Sequence, residues 1–502
     1  MEKRRLNRRD FLCLSATVAA GAVAAACAPA TPQIVEKEVI REVPVEKPVV
    51  VEKEKPVIVE KEVVKEVPVE KIVKETVIVE KVVEKPPEKP VAPAGPAKVV
   101  IMHFLHEFTE DHVKLFEEEN PAITLEVIQA EPTRFFAMYA AGSPPDLLRV
   151  QAPSVPQYLA RKMLYDLTPF FEVSDVLKLD DLAPANDYYK GYSALEIGEG
   201  PIYGMCKDFS PDCTIFVYKP LFEDAGLEVP SDTKPLAYQD IVELSAKLTK
   251  FEGDRTISFG YAYEAGWVDR FMMNMLGELG QSVYSEDFSK LVLVDNEEAY
   301  AVAKYYYDLA AEKLAQSSIN PSPAGWFGND FTQGILAMAQ YGFWYGAMAE
   351  SDVTAGQVIM IPGPMWAGVR RDPTLTATGM IMAADTKVPE AAWEAFEYYN
   401  AGAPAIERAK SGWGVPALKS MWGMMPSGTE YEQQKLKALQ AELALETSPL
   451  QFNPFLGETT VADSWSTQLD RALQGEITFD KMLANVESEV NAAIQEGIDR
   501  IL

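Results

Sequence analysis

The residues that carry most metal and nucleophile chemistry are scarce in this sequence: three histidines and four cysteines among 502 residues. The histidines His103, His106 and His112 sit close together beside Glu107 and Asp111. Even so, HEFTEDH is not the HExxH pair of a zinc protease, because the residue four after His106 is Glu110. With His103 expected at a strand end and His112 inside a helix, the three rings diverge, so no metal site is expected. There is no phosphate-binding G-x-x-x-x-G-K-S/T loop and no G-x-S-x-G elbow. Carboxylates are plentiful, yet nothing marks two of them as a glycosidase-type pair. The expectation is a protein that is not an enzyme and needs no cofactor. Basic residues are also short, 46 against 75 acidic ones, for a formal charge of -29. A surface of that sign repels phosphate backbones, which argues against nucleic acid as a partner.

Long apolar runs are missing as well. The N-terminal run after Arg8-Arg9 is made of small residues and is too short for a permanent membrane span. Residues 1–27 instead look like a twin-arginine export signal, NRRDFL, followed by Ala24-Ala25-Ala26-Cys27. That ending resembles a lipoprotein cleavage site, with Cys27 as the lipidated residue and Ala24 where a leucine is usual. The alternative is ordinary cleavage and free secretion. Aromatics are absent from residues 28–96, where VEK recurs at Val35, Val45, Val51, Val59, Val69 and Val79 among repeated prolines. Valine resists helix and proline interrupts both helix and sheet, so this stretch is expected to be an extended, disordered stalk. A coil of that length averages about 45 Å end to end. Its VEK spacing holds no steady heptad, which excludes a coiled coil.

From Lys98 the pattern becomes that of a globular α/β chain. Val99-Val100-Ile101 reads as a buried strand. Thr109 is placed to cap a helix whose first turn carries Glu110 and Asp111 and whose apolar face includes Val113, Leu115 and Phe116. Asn120-Pro121 stops it, and Ile123, Leu125 and Val127 alternate as the next strand. Strand, helix and strand at this spacing predict a βαβ unit with parallel pairing. Further helices are expected over 238–250, 296–313 and 389–400. Cys206 and Cys213 lie close in sequence. In an oxidising compartment they either close a short disulfide loop or stay two separate buried thiols, and spacing leaves both open.

Eight segments, taken together, resemble family 1 of the extracellular solute-binding proteins, the maltose-binding-protein group. They are AAGSPPDLLRV (140–150), KMLYDLTPFFE (162–172), IYGMCKD (202–208), VYKPLFEDAGLEVP (217–230), GILAMAQYGFW (334–344), IPGP (361–364), KVPEAAWEAFEYYN (387–400) and GWGVPALKS (412–420). Cys206 stands where the family usually has proline, and Tyr218 where it often has asparagine. The resemblance implies a two-lobed periplasmic-binding-protein fold of type II, each lobe a mixed sheet flanked by helices. Lobe one would comprise 97–212 and 379–412, and lobe two 213–378 and 413–502. A ligand would bind in the hinged cleft at the carboxyl ends of strands, and closure would present the complex to an ABC permease.

The resemblance also places an aromatic platform at Trp344. A pyranose lays its apolar C–H face on an indole and offers its hydroxyl rim to carboxylates and amides. Trp267, Trp413 and Tyr341 are expected as further walls, with Asp212 as a hydrogen-bonding carboxylate. Glu107 and Gln151 follow early strands and would line the opposite lip. The implied protein is a monomeric, membrane-anchored receptor for a small solute, a sugar or oligosaccharide in the first reading. A peptide, polyamine, phosphodiester or metal complex is the second.

Overall fold

The computed structural model describes residues 95–444 and 449–501. The export segment, Cys27 and nearly all of the expected stalk lie outside the described residues.

β1 (Ala97–His103) buries Val99, Ile101, Met102 and His103. Thr109 then caps the helix Glu110–Glu119: its hydroxyl accepts from His112 N, and His112 Nδ1 accepts from Thr109 N in return. This reciprocal box satisfies two amides that a helix start leaves unpaired. The helix buries His112 and Phe116, whereas Leu115, read as part of its apolar face, is exposed. After Asn120 the chain enters β2 (Ile123–Gln129), parallel to β1 in unbroken register from Ala97↔Ile123 to His103↔Gln129.

The remaining strands, in chain order, are β3 (Leu147–Val150), β4 (Lys190–Ser193), β5 (Glu196–Ile202), β6 (Gly204–Cys206), β7 (Asp208–Phe209), β8 (Ile215–Tyr218), β9 (Lys250–Glu252), β10 (Arg255–Tyr263), β11 (Leu336–Gln340), β12 (Val358–Ile361), β13 (Gly379–Met382) and β14 (Val415–Pro416). Ten of the fourteen fall into two five-stranded mixed sheets, ordered β2-β1-β3-β13-β6 and β12-β8-β11-β10-β9. In the first, β1 is parallel to β2 and β3, and β13 is antiparallel to β3 and β6. In the second, β10 and β11 are parallel, and β8 runs antiparallel to β11 and β12. β11 and β13 are buried along their whole length, as a central strand must be when both sheet faces are covered. The helix Pro389–Ala401 packs on β1 and β13, Tyr238–Leu248 on β10, and Glu430–Leu443 on β12.

The chain passes between the sheets at 206–215, at 361–379, and again after the helix Ala403–Ser411. Two of these passages pair with each other: β7 and β14 form an antiparallel ribbon, with Val415 opposite Phe209. Ala417 O accepts from Ala183 N at 2.8 Å, and Ser420 N donates to Asp181 at 2.7 Å, so residues 417–420 pack with segments of the first sheet's side. Residues 449–458 bridge both sides. Leu450 N donates to Tyr188 Oη and Gln157 Nε2 donates to Leu456 O, both at 2.9 Å, while Asn453 Nδ2 donates to Phe288 O at 2.9 Å. No described helix is long and apolar enough to cross a membrane.

Candidate functional site

Parallel pairing brings the carboxyl ends of β10 and β11 to one sheet edge, where Tyr263 sits opposite Gln340. The next residue on each strand is therefore also a neighbour: Tyr341 Oη donates to Glu264 Oε2 at 3.2 Å. Both chains then turn through short 3-10 helices, Ala265–Trp267 and Phe343–Ala347. The second turn is pinned to the hinge, since Phe343 N donates to Pro211 O at 3.2 Å and Trp344 N to Ser210 Oγ at 3.3 Å. Only glycine fits at 342: a Cβ there would lie 2.0 Å from Asp212 Oδ1 and 2.3 Å from Ser210 Oγ. The helix Ala403–Ser411 ends at Gly412, whose left-handed φ of 69° turns the chain so that Trp413 emerges beside this edge.

The result is an aromatic cluster around Trp344. Its ring centre lies 5.0 Å from Tyr341, 5.4 Å from Trp413 and 6.5 Å from Trp267. Trp344 and Trp267 are half-buried, and Trp413 is 38 % exposed. Tyr341 is 0 % exposed and stacks on Phe327 at 4.3 Å, which makes it the rear wall rather than a contact face. Trp326 Nε1 donates to the Tyr341 hydroxyl, completing a relay from Trp326 through Tyr341 to Glu264. Burial pushes the Glu264 carboxyl up, against hydrogen bonds from Gly266 N and Tyr341 that favour its ionised form.

Asp212 does not face this cluster as an open acceptor. It is 0 % exposed, its Oδ2 accepts from Leu375 N at 2.6 Å, and Gly342 packs against its Oδ1. Burial pushes its carboxyl up to about 7 in spite of the Leu375 amide. Sequence register placed it close to the cleft, but the close packing at Gly342 covers it.

The residues expected on the opposite lip are separate. Glu107 meets Arg149 at 3.1 Å, His103 at 3.8 Å and Lys207 at 3.9 Å. Burial alone would raise its carboxyl, but Lys207 and Arg149 outweigh that and hold it at about 2. Gln151 is half-buried and opens the short helix Ala152–Ser154. Among the described residues, no hydrogen bond or ring contact joins Glu107 or Gln151 to the tryptophans. The three histidines diverge: His103 is buried against Tyr399, His106 stacks on Phe104, and His112 Nε2 bonds Glu407 at 2.9 Å.

Cys206 and Cys213 are both free and buried in the structure. Each sulfur has another neighbour. Cys206 Sγ lies 3.3 Å from Asn186 Oδ1 on the first sheet's side, and Cys213 Sγ accepts from Asn274 Nδ2 at 3.5 Å on the second's. The intervening crossover, with β7 in it, draws the two apart. Sequence reading missed Glu264 and the bonding role of Trp326. The signal for Glu264 was its place directly after the strand ISFGYAY, at a carboxyl end.

A sequence profile described as bacterial extracellular solute-binding protein matches residues 104–401. No curated protein matches the sequence. Among solved structures, an ABC substrate-binding protein from Listeria monocytogenes in complex with cycloalternan is similar at TM-score 0.63 and 20 % identity, over 80 % of this chain and 99 % of that one. The sugar-binding protein MalE of Xanthomonas citri aligns at 0.62 and 15 % identity, over 80 % and 98 % of the two chains. Maltose-bound MalE3 of T. maritima aligns at 0.59 and 18 % identity, over 78 % and 98 %.

Proposed function

This chain belongs to the bacterial extracellular solute-binding proteins, and from that premise we propose that it is the receptor of an ABC importer for a carbohydrate-like solute. The family is one of transport receptors rather than enzymes, located outside the cytoplasm. The observation that carries the sugar reading is the cluster at the carboxyl ends of β10 and β11, where Trp344 lies within 6.5 Å of Trp267 and Trp413. Half-buried indoles offer large flat areas with few rotors, so a ring ligand stacks on them at low entropic cost. The cycloalternan and maltose held by two of the similar structures support a cyclic, hydroxyl-rich solute here. The three crossings between the sheets supply a hinge, and the permease would recognise the closed form. Cys27 would carry a lipid anchor, with 28–96 as the stalk.

Trp344→Ala tests the placement. It should weaken binding of the sugar ligand by about 2 kcal/mol or more, the scale of an anchor residue, with a smaller change in melting. A core role predicts the reverse: a stability loss of about 3–5 kcal/mol with affinity kept. A mutant that melts far lower yet binds normally would show that the site lies elsewhere.

A further inference from the structure

Glu264 is a half-buried carboxylate beside the tryptophans without an ion pair among the described residues, whereas Asp212, which also lacks one, is fully buried behind Gly342. Glu107 is paired with Arg149, Asp208 with Lys207 at 2.7 Å, Glu458 with Arg270 at 3.0 Å, and Glu442 with Arg370 at 2.7 Å. Glu264 has no cation at ion-pair distance among the described residues. Its partners are neutral donors: Tyr341 Oη at 3.2 Å and Gly266 N at 3.4 Å. Two bonds leave lone pairs on both oxygens unused. The nearby basic groups are already committed. Arg270 is 2 % exposed and bonded to Glu458 and Leu375 O, and Lys435 is 3 % exposed, held over the rings of Phe343 and Tyr431.

The rings beside Glu264 are steeply inclined to one another. Trp344 makes angles of 68° with Trp267 and 60° with Tyr341, and Trp267 makes 78° with Tyr341. A single flat platform suits a neutral pyranose. The inclined faces of Trp267 and Trp344 beside a carboxylate suit a compact cation, which both indole quadrupoles attract; Tyr341 backs them from behind. The formal charge of -29 adds a long-range pull of the same sign, screened beyond about 8–10 Å at physiological salt.

We propose that the solute bears a protonated nitrogen, an amino sugar being the class that fits best, and that Glu264 is its counter-charge beside the half-buried faces of Trp267 and Trp344. This rests on reading the tryptophan cluster as the ligand site. Arg270 lies 6.0 Å over the Trp267 ring and favours ionised Glu264 without forming an ion pair with it; a carboxylate whose hydrogen bonds come from neutral donors still gains when the ligand itself brings a positive charge into contact.

The test uses the exported protein and matched pairs of sugars: glucosamine against glucose, galactosamine against galactose, and the glucosamine disaccharide against cellobiose. Choline and spermidine serve as amines without a sugar ring. Tryptophan fluorescence and calorimetry at pH 6.5 report binding up to about 10 mM ligand. The amino sugars should bind about tenfold tighter than their neutral partners, with a preference that shrinks as salt rises. Glu264→Gln should abolish that preference, because Gln keeps the acceptor for Tyr341 but carries no charge. Neutral sugars binding as tightly as amino sugars would overturn this inference and leave the carbohydrate receptor standing. Binding of choline or spermidine with no sugar bound would overturn the carbohydrate reading and keep Glu264 as a cation site. Absence of binding across the panel would overturn both. If Glu264→Gln does not fold, the matched pairs on the parent protein still decide.

Discussion

Asp212→Asn should turn a buried liability into a gain that depends on pH. Asp212 is fully buried, with one oxygen on Leu375 N and the other without a hydrogen-bond partner. Burial raises its carboxyl from 3.8 to about 7. A raised folded pKa means that the folded state holds its proton where the unfolded chain has lost it. Its stabilising effect is complete below the unfolded pKa near 3.8 and is lost as pH rises through about 7. Over that window the loss approaches about 4 kcal/mol, at 1.36 kcal/mol per pH interval of one. Asparagine is isosteric and does not titrate. Its oxygen can accept from Leu375 N, and its amide can donate toward Ser210 Oγ. The variant should match the parent near pH 3.5 and melt higher at pH 8. For a unit of about 400 residues, 4 kcal/mol corresponds to about 5 °C. Comparing variant and parent at each pH cancels other titrations, including His103, which burial lowers to about 3 and which destabilises the protein as pH falls. Melting both proteins from pH 3.5 to 8.5 is the assay. A difference that is flat with pH, or a variant less stable at pH 8, would refute the reasoning and show that Asp212 is ionised in the fold.

The remaining predictions concern the cysteines. Cys206 and Cys213 should both be alkylated when the protein is unfolded without reductant, and a linked peptide spanning them on a non-reducing map would contradict the structure. Burial pushes both thiols up, so neither should react appreciably in the folded protein at pH 8. Cys27→Ser should release the protein from membranes into the medium or soluble fraction; mass spectrometry showing an unmodified N-terminus elsewhere in the parent would end the anchor proposal.

Local signals were legible in the sequence because their partners are near neighbours. Thr109 as a helix cap, Glu110 and Asp111 in the first turn, the stop at Asn120 and the alternation of β2 all depend on residues within a turn or a strand of each other. Order along the chain, supported by the resemblance, was enough for the α/β class and for naming Trp344, Trp267 and Trp413 as candidates. Even locally a misreading occurred at Leu115, because a helix face is decided by what packs on it: His112, bonded to Glu407 and capping its own helix, took the buried place.

Tertiary structure decided everything that depends on residues distant in sequence. The antiparallel insertion of β13 between β3 and β6 joins segments that no periodicity links. Close packing at Gly342 turned Asp212 from a proposed ligand acceptor into a buried acid, and the crossover between the sheets kept Cys206 from Cys213. Glu264 became a candidate only through the parallel register of β10 and β11, which sets it against Tyr341 across 77 positions of sequence. Propensity, capping and alternation are properties of short stretches, so the sequence alone determined the elements. Strand pairing, burial and charge compensation are properties of the assembled chain, and only the fold determined which side chains share the site.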